Sequence, residues 1–122
     1  MTRLGYLLPT RERIMRDEPS GTALLDAARR ARDHGFDSVW AGDSLLARPR
    51  HDPLTLLAAV AGAMPDLEIG TAVLLPMLRN PVVLAPQLAT IALISEGRLF
   101  VGAGFGAVLP FVRAEFTAAG VP

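Results

Sequence analysis

The chain contains no lysine and no cysteine. All twelve basic residues are arginine, so neither a Schiff-base lysine nor a phosphate-loop lysine is available. The lack of cysteine excludes disulfides, thiolate nucleophiles and cysteine-ligated metal sites, and we expect a cytoplasmic protein. Twelve acidic residues balance the arginines, so we expect neither nucleic acid nor an anionic membrane as a partner.

Long hydrophobic runs and clusters of metal ligands are also missing. No uninterrupted apolar run reaches the roughly 18 residues of a membrane span, and the first residues lack the layout of a signal peptide. The two histidines, His34 and His51, are far apart and have no carboxylate at ligand spacing. We therefore expect no membrane-spanning segment and no metal site.

The chain does contain an alternation of short apolar runs with helical stretches. Four strands are predicted, at residues 4–8, 38–41, 67–75 and 98–102. Such alternation is typical of consecutive βαβ units and a parallel sheet, here in a single domain over residues 1–122. Functional residues in these folds gather at the C-terminal ends of the strands.

Proline after a capping residue marks the start of two helices. Asp52-Pro53 predicts a helix over residues 53–64, and Asn80-Pro81 predicts another over residues 81–95. Pro86 lies inside the latter, where it removes a hydrogen bond and clashes with the preceding turn. We expect a kink or a broken first turn there.

The remaining connections predict two further helices and a loop. Ser20 or Thr22 can cap a helix that ends at Gly35, and residues 111–119 resemble the beginning of a last helix. The stretch between the first strand and the first of these helices, residues 10–21, is polar, charged and aperiodic. It predicts a surface loop above the strand end.

A glycine cluster follows the fourth predicted strand. Gly102, Gly104 and Ala107 match the spacing of a dinucleotide-binding fingerprint, but Pro110 follows almost at once and no acidic residue lies about 20 positions downstream. A tight turn that needs the backbone freedom of glycine is an alternative. We favour a third interpretation, in which these glycines let a flat ligand approach the strand ends.

Asp43 is the best candidate for a catalytic acid or base. It directly follows an apolar strand, at the edge of the sheet where parallel folds place their chemistry. The alternative is a structural aspartate that caps a turn or pairs with Arg48 or Arg50. Spacing alone does not separate the two. His51, in the same loop, is expected to be a surface residue.

Four segments occur in an order and spacing that together are specific. They are residues 35–44, with Gly-Phe-Asp-Ser-Val-Trp leading to Gly-Asp-Ser, and residues 52–59, 69–81 and 93–104. With them the chain resembles the bacterial luciferase-like family of flavin- or deazaflavin-dependent oxidoreductases. The resemblance implies the first half of a TIM-type (α/β)8 barrel, with four parallel strands in sequential order and intervening helices.

The resemblance also implies a function. It indicates an oxidoreductase or monooxygenase in which FMN or a deazaflavin, coenzyme F420, lies in the barrel mouth beside a small organic substrate. It places Asp43 at the reactive edge of the ring and a cis peptide bond near residues 71–73. Contacts with the cofactor are implied for Ser44, Thr71, Ala72, Val73, Asn80, Gly104 and Gly106. Many relatives carry histidine where this chain has Ser44, so a histidine-dependent proton transfer is not expected here.

Two alternatives stay open from the sequence. A half barrel exposes its outer strand edges and an apolar inner face, so the chain could be a catalytically silent, truncated module that pairs with itself or with a complementary chain. The other alternative is a flavodoxin-like nucleotide-binding domain. Strand order separates them, because a sequential order means half a barrel and a reversal means a doubly wound sheet.

Overall fold

Four parallel strands form one sheet in the order β1-β2-β3-β4. The computed structural model describes residues 1–122. Its strands are β1 (Gly5–Leu7), β2 (Ser38–Ala41), β3 (Glu68–Leu74) and β4 (Leu99–Ala103). Each strand pairs with the next along the chain, which is the order of half a TIM-type barrel. The prediction of a half barrel is confirmed, and a doubly wound, flavodoxin-like sheet is excluded.

Helices follow the strands, as βαβ units require. They are α1 (Thr10–Met15), α2 (Gly21–Asp33), α3 (Pro53–Ala63), α4 (Pro81–Ile94) and α5 (Pro110–Ala118), with a short 3-10 turn at Pro76–Leu78. The predicted caps of α2, α3 and α4 are confirmed. The side chains of Ser20, Asp52 and Asn80 accept hydrogen bonds from the first-turn amides of Ala23, Thr55 and Val82.

Helix α1 corrects the prediction that residues 10–21 form a loop. Pro9 precedes the helix, and its carbonyl accepts a hydrogen bond from the Arg13 amide. The residues of α1 are mostly good helix formers. Thr10 is its only buried residue, so the segment shows no apolar periodicity from which a helix could be recognised.

Pro86 does not break α4, so the expected broken first turn is wrong. The helix is continuous from Pro81 to Ile94, with Pro86 in its second turn. Pro86 is exposed to solvent. Water can therefore satisfy the Val82 carbonyl that loses its intrahelical partner, which makes the missing hydrogen bond tolerable.

The core lies between one face of the sheet and helices α2, α3 and α4. A row of paired residues runs across this face, and its central members, Val39 and Ile69, are fully buried. Leu24 of α2 and Leu57 and Val60 of α3 pack in the same cluster. Burial of this apolar row against the helices is the main source of stability.

The opposite face of the sheet carries no helix. The row Leu7, Trp40, Gly70 and Phe100 runs across it, with Trp40 packed over Gly70. Leu7 and Phe100 are exposed, and the outer edges of β1 and β4 have no neighbouring strand. None of the helices is both long and apolar enough to span a bilayer.

Candidate functional site at the C-terminal strand ends

The ends of β2, β3 and β4 open into a cavity of about 450 Å³. Six predicted site residues line it: Asp43, Ser44, Ala72, Val73, Gly104 and Gly106. They come from three segments that are distant in the sequence, and the parallel order of the strands brings these segments to one rim. The cavity is mostly apolar, with charged groups from Asp43, Arg48, Arg50 and Glu115 in its wall.

A second cavity, of about 570 Å³, lies beside the first, between the loop after β4 and α5. Apolar side chains such as Phe105, Val112 and Phe116 dominate its wall, and Arg113 is its only charged residue. The smaller cavity therefore holds the groups that could perform acid–base or ion-pairing chemistry.

Two predicted site residues lie outside the cavity. Thr71 is fully buried, and its hydroxyl donates a hydrogen bond of 2.9 Å to the Gly102 carbonyl. Asn80 is exposed and uses its side-chain oxygen to cap α4. Each has a structural role that its contacts explain, and their cofactor contacts stay predictions.

The end of β3 has an irregular backbone. The peptide bond between Ala72 and Val73 is cis, which confirms the expectation for residues 71–73. The pairing of β3 with β4 shifts register between Thr71 and Leu74. Both Ala72 and Val73 are exposed toward the cavity, in contrast to their neighbour Thr71.

Two glycines of β4 and its loop allow close packing against β3. A β-carbon on Gly102 would lie 2.5 Å from the Thr71 carbonyl oxygen, and one on Gly104 would lie 2.6 Å from Val73 Cγ2. Gly106 has a φ of +79°, a conformation that favours glycine. Close packing and a turn therefore account for the glycine cluster, and the approach of a flat ligand stays a prediction.

Asp43 is held by Arg79. Arg79 Nη2 donates to Asp43 Oδ1 at 2.9 Å, and Nη1 donates to Oδ2. The Leu75 amide also donates to Oδ2, at 2.9 Å. The Asp43 side chain is only 1% exposed. Asp43 therefore forms an ion pair, which was the structural alternative from the sequence, but its partner is Arg79 and not Arg48 or Arg50. The ion pair gives Asp43 a structural role, and its catalytic role stays a prediction.

Arg79 also links Asp43 to the start of α3. Its Nη2 lies 3.1 Å from Asp52 Oδ2. Burial alone would lower the pKa of Arg79, but the hydrogen bonds and charges of Asp43 and Asp52 outweigh it and raise that pKa. Burial would likewise raise the pKa of Asp52, yet hydrogen bonds from Thr55 and Arg79 hold it below the usual value. Arg79 thus pairs with two carboxylates at once.

Glu115 is a site residue that the sequence interpretation missed. It is 1% exposed, and its Oε1 accepts hydrogen bonds from Ser44 Oγ at 2.9 Å, from the Leu46 amide at 3.0 Å and from the Leu45 amide. The bonds tie α5 to the loop after β2. The sequence contains a signal for this role, namely a charged residue on the inward face of a helix. Residues 112, 115, 116 and 119 share the inward face of α5, and Glu115 is the only charged residue among them.

Comparison with known protein families shows to which family the chain belongs. Residues 2–115 match the family model described as luciferase-like monooxygenase. The chain belongs to this family. Its fold and the residues at its strand ends agree with that membership, and the resemblance predicted from the four sequence segments is confirmed.

Individual members of the luciferase-like family differ in cofactor. The chain is 37% identical to an F420-dependent glucose-6-phosphate dehydrogenase of Amycolatopsis mediterranei over 89% of its own length and 33% of that protein. The oxygenating constituent of 3,6-diketocamphane monooxygenase of Pseudomonas putida, solved with FMN, has a TM-score of 0.78 and 25% identity. That match covers 98% of this chain and 33% of the monooxygenase.

A further solved structure is an F420-dependent secondary alcohol dehydrogenase in complex with an F420–acetone adduct, with a TM-score of 0.71 and 28% identity. The match covers 86% of this chain and 32% of the dehydrogenase. The chain therefore spans about a third of the length of the relatives it matches.

Proposed function

We propose that this luciferase-like chain binds FMN or coenzyme F420 in the cavity at the strand ends and takes part in oxidation or reduction of a small organic substrate. The observation that carries the proposal is the convergence of β2, β3 and β4 on one mostly apolar cavity. Its volume, about 450 Å³, lies in the range of small-molecule sites, which is about 300–1,000 Å³.

The residues of the cavity fit a flat heterocyclic ring. Ala72 and Val73 present exposed, small, apolar surface at the end of β3. Gly104 and Gly106 add no side chain on the adjoining loop. Such a surface excludes water from one side of a ring without competing for its polar edge. A bound flavin or deazaflavin supplies the electrons or the hydride of the reaction.

The polar residues of this chain hold the rim in place. Arg79 fixes the Asp43 carboxylate at the end of β2, and the Leu75 amide beyond β3 donates a second hydrogen bond to the same carboxylate. Ser44 Oγ donates a hydrogen bond to Glu115 and accepts one from the Arg48 amide, so both hydrogen bonds of the hydroxyl are made within the protein. We assign Ser44 a role in positioning the loop, and Asp43 a place beside the ring, paired with Arg79.

Titration of the purified chain with FMN and, separately, with F420 tests the proposal. We expect saturable binding of at least one cofactor, followed by its fluorescence. Ala107, an exposed residue of the cavity wall, offers a blocking variant, Ala107→Trp. The matched control is Ala59→Trp, at an exposed position of α3. No saturable binding of either cofactor by the folded chain would contradict the proposal.

A second candidate function rests on the uncovered face of the sheet. Leu7 and Phe100 are exposed there, and the edges of β1 and β4 are open. This supports the alternative of a catalytically silent module whose activity is association with a second copy or a complementary chain. A concentration-dependent dimer that binds neither cofactor would favour this alternative over the oxidoreductase.

A further inference from the structure

Arg50 is a half-buried arginine for which the protein provides no partner. Its side chain takes part in no hydrogen bond and no ion pair. Its Nε is buried and is the only buried side-chain polar atom of the chain without a hydrogen-bond partner. Buried donors are almost always satisfied in native proteins, so an orphaned guanidinium nitrogen needs an explanation.

The position of Arg50 points to a ligand. The residue lines the 450 Å³ cavity together with Ala72, Val73 and Gly104. Its guanidinium lies against the backbone of Gly42, where a β-carbon would overlap Nη1 and lie 3.3 Å from Cζ. The absence of a side chain at Gly42 is therefore what leaves room for the guanidinium at this place.

No carboxylate of the cavity wall is paired with Arg50. Asp43 is neutralised by Arg79, and one oxygen of Glu115 already accepts three hydrogen bonds. Arg48 adds a second positive charge to the wall. Burial lowers the pKa of Arg50, and the nearby charges of Glu12 and Asp43 only partly offset this effect. The cavity wall thus holds a half-buried cation whose donors have no partner in the protein.

We propose that Arg50 binds an oxyanion, a phosphate or carboxylate group of a ligand in this cavity. The planar guanidinium donates in a fork that matches such groups, and charge-assisted hydrogen bonds of this kind are strong. The proposal deepens the proposed function, since it rests on the cavity being a ligand site. The oxyanion belongs either to the cofactor or to the substrate.

The first experiment uses inorganic phosphate as the probe, with the full chain at constant ionic strength. Phosphate is expected to shift the Arg50 Nε–H resonance in a ¹⁵N–¹H spectrum, and Arg50→Met is expected to bind phosphate at least tenfold more weakly. Gly42→Ala keeps the arginine but displaces its guanidinium, so it should show the same loss. The control is Arg16→Met, because Arg16 is exposed and outside the cavity.

The second experiment identifies the source of the oxyanion. FMN and riboflavin differ only in the phosphate group. If Arg50→Met weakens FMN but not riboflavin, the anion is that of the cofactor. If the variant leaves both affinities unchanged and removes phosphate binding to the riboflavin-loaded chain, the anion is that of the substrate.

Failure of this proposal is distinguishable from failure of the proposed function. If phosphate leaves the Arg50 resonance unmoved, or if Arg50→Met and Arg16→Met bind phosphate equally well, the anion site is overturned while cofactor binding stands. A purely structural Arg50 would lower the melting temperature when replaced. We expect Arg50→Met to melt at the same temperature as the parent or higher, because it removes a half-buried charge that has no partner in the protein.

Discussion

Replacement of Arg79 by methionine removes the cation that compensates Asp43. The Asp43 side chain is 1% exposed and that of Arg79 is 13% exposed, so neither charge is screened by much water. In the variant, Asp43 would keep only the hydrogen bond from the Leu75 amide. Breaking a buried ion pair from one side costs about 3–5 kcal/mol, because the remaining charge stays desolvated.

The other contact of Arg79 adds little to this loss. Asp52 is 45% exposed, and surface ion pairs contribute about 0–1 kcal/mol. At about 4 °C for each kcal/mol, Arg79→Met should lower the melting temperature by roughly 12–20 °C. Small domains are stable by about 5–15 kcal/mol in total, so the chain would fold only marginally.

Asp43→Asn and the double variant provide the controls. Asp43→Asn removes the buried charge and leaves Arg79 paired with Asp52, so a smaller loss is expected than for Arg79→Met. The double variant contains no uncompensated buried charge, and its loss should be less than the sum of the two single losses. Denaturant unfolding followed by circular dichroism measures all three free energies.

Two results would refute the reasoning. One is a loss below about 1 kcal/mol for Arg79→Met, and the other is a pair of single losses that add strictly in the double variant.

Three further variants, one of them with a matched control, probe other contacts on and near the cavity. Glu115→Ala leaves the donors of Ser44, Leu45 and Leu46 without their acceptor, which should cost about 1–3 kcal/mol of folding stability for each unsatisfied group. Hydrogen exchange of the amides in that loop should become faster. Unchanged exchange would contradict the role of Glu115. Asp52→Asn should destabilise the chain at neutral pH. Because folding lowers the pKa of Asp52, the difference from the parent should begin to shrink as the pH falls below about 4 and should be lost only below the pKa of the folded state. Gly102→Ala should lower the melting temperature, since its β-carbon would lie 2.5 Å from the Thr71 carbonyl oxygen. The control is Gly62→Ala, in open space on α3, which should raise the melting temperature because alanine favours the helix. Equal shifts for these two glycines would show that close packing of β4 on β3 is unimportant.

The strands and most helices could be predicted because their signals are local. Apolar runs placed each strand to within a residue or two, and Asp52 and Asn80 identified the starts of α3 and α4. The first helix was missed because only Thr10 is buried in it, so its sequence has no apolar stripe. The topology followed from the resemblance, which the sequential strand order confirms.

The position of the cavity rim was predicted correctly, but the residues that line the rim were predicted only in part. Asp43, Ala72 and Gly104 were expected at the strand ends and lie there. Thr71 was grouped with its neighbours, but successive side chains of a strand alternate between faces, and Thr71 points away into the packed layer.

The partners of the charged residues could not be derived from the sequence. Asp43 pairs with an arginine 36 positions away, and Glu115 bonds to a loop about 70 positions away. Such pairs depend on how the strands and helices pack, and spacing carries no information about them. The lack of a partner for Arg50 is visible only once every other charge has been placed.

The most direct test of the account is to locate a bound cofactor on the chain. Backbone amide shifts recorded on addition of FMN and of F420 report which residues it contacts. We predict the largest shifts at Asp43, Ala72, Val73 and Gly104, the residues that line the rim of the cavity. The proposed cofactor site would be contradicted by shifts confined to the uncovered face of the sheet, at Leu7 and Phe100, or to α5 away from the rim.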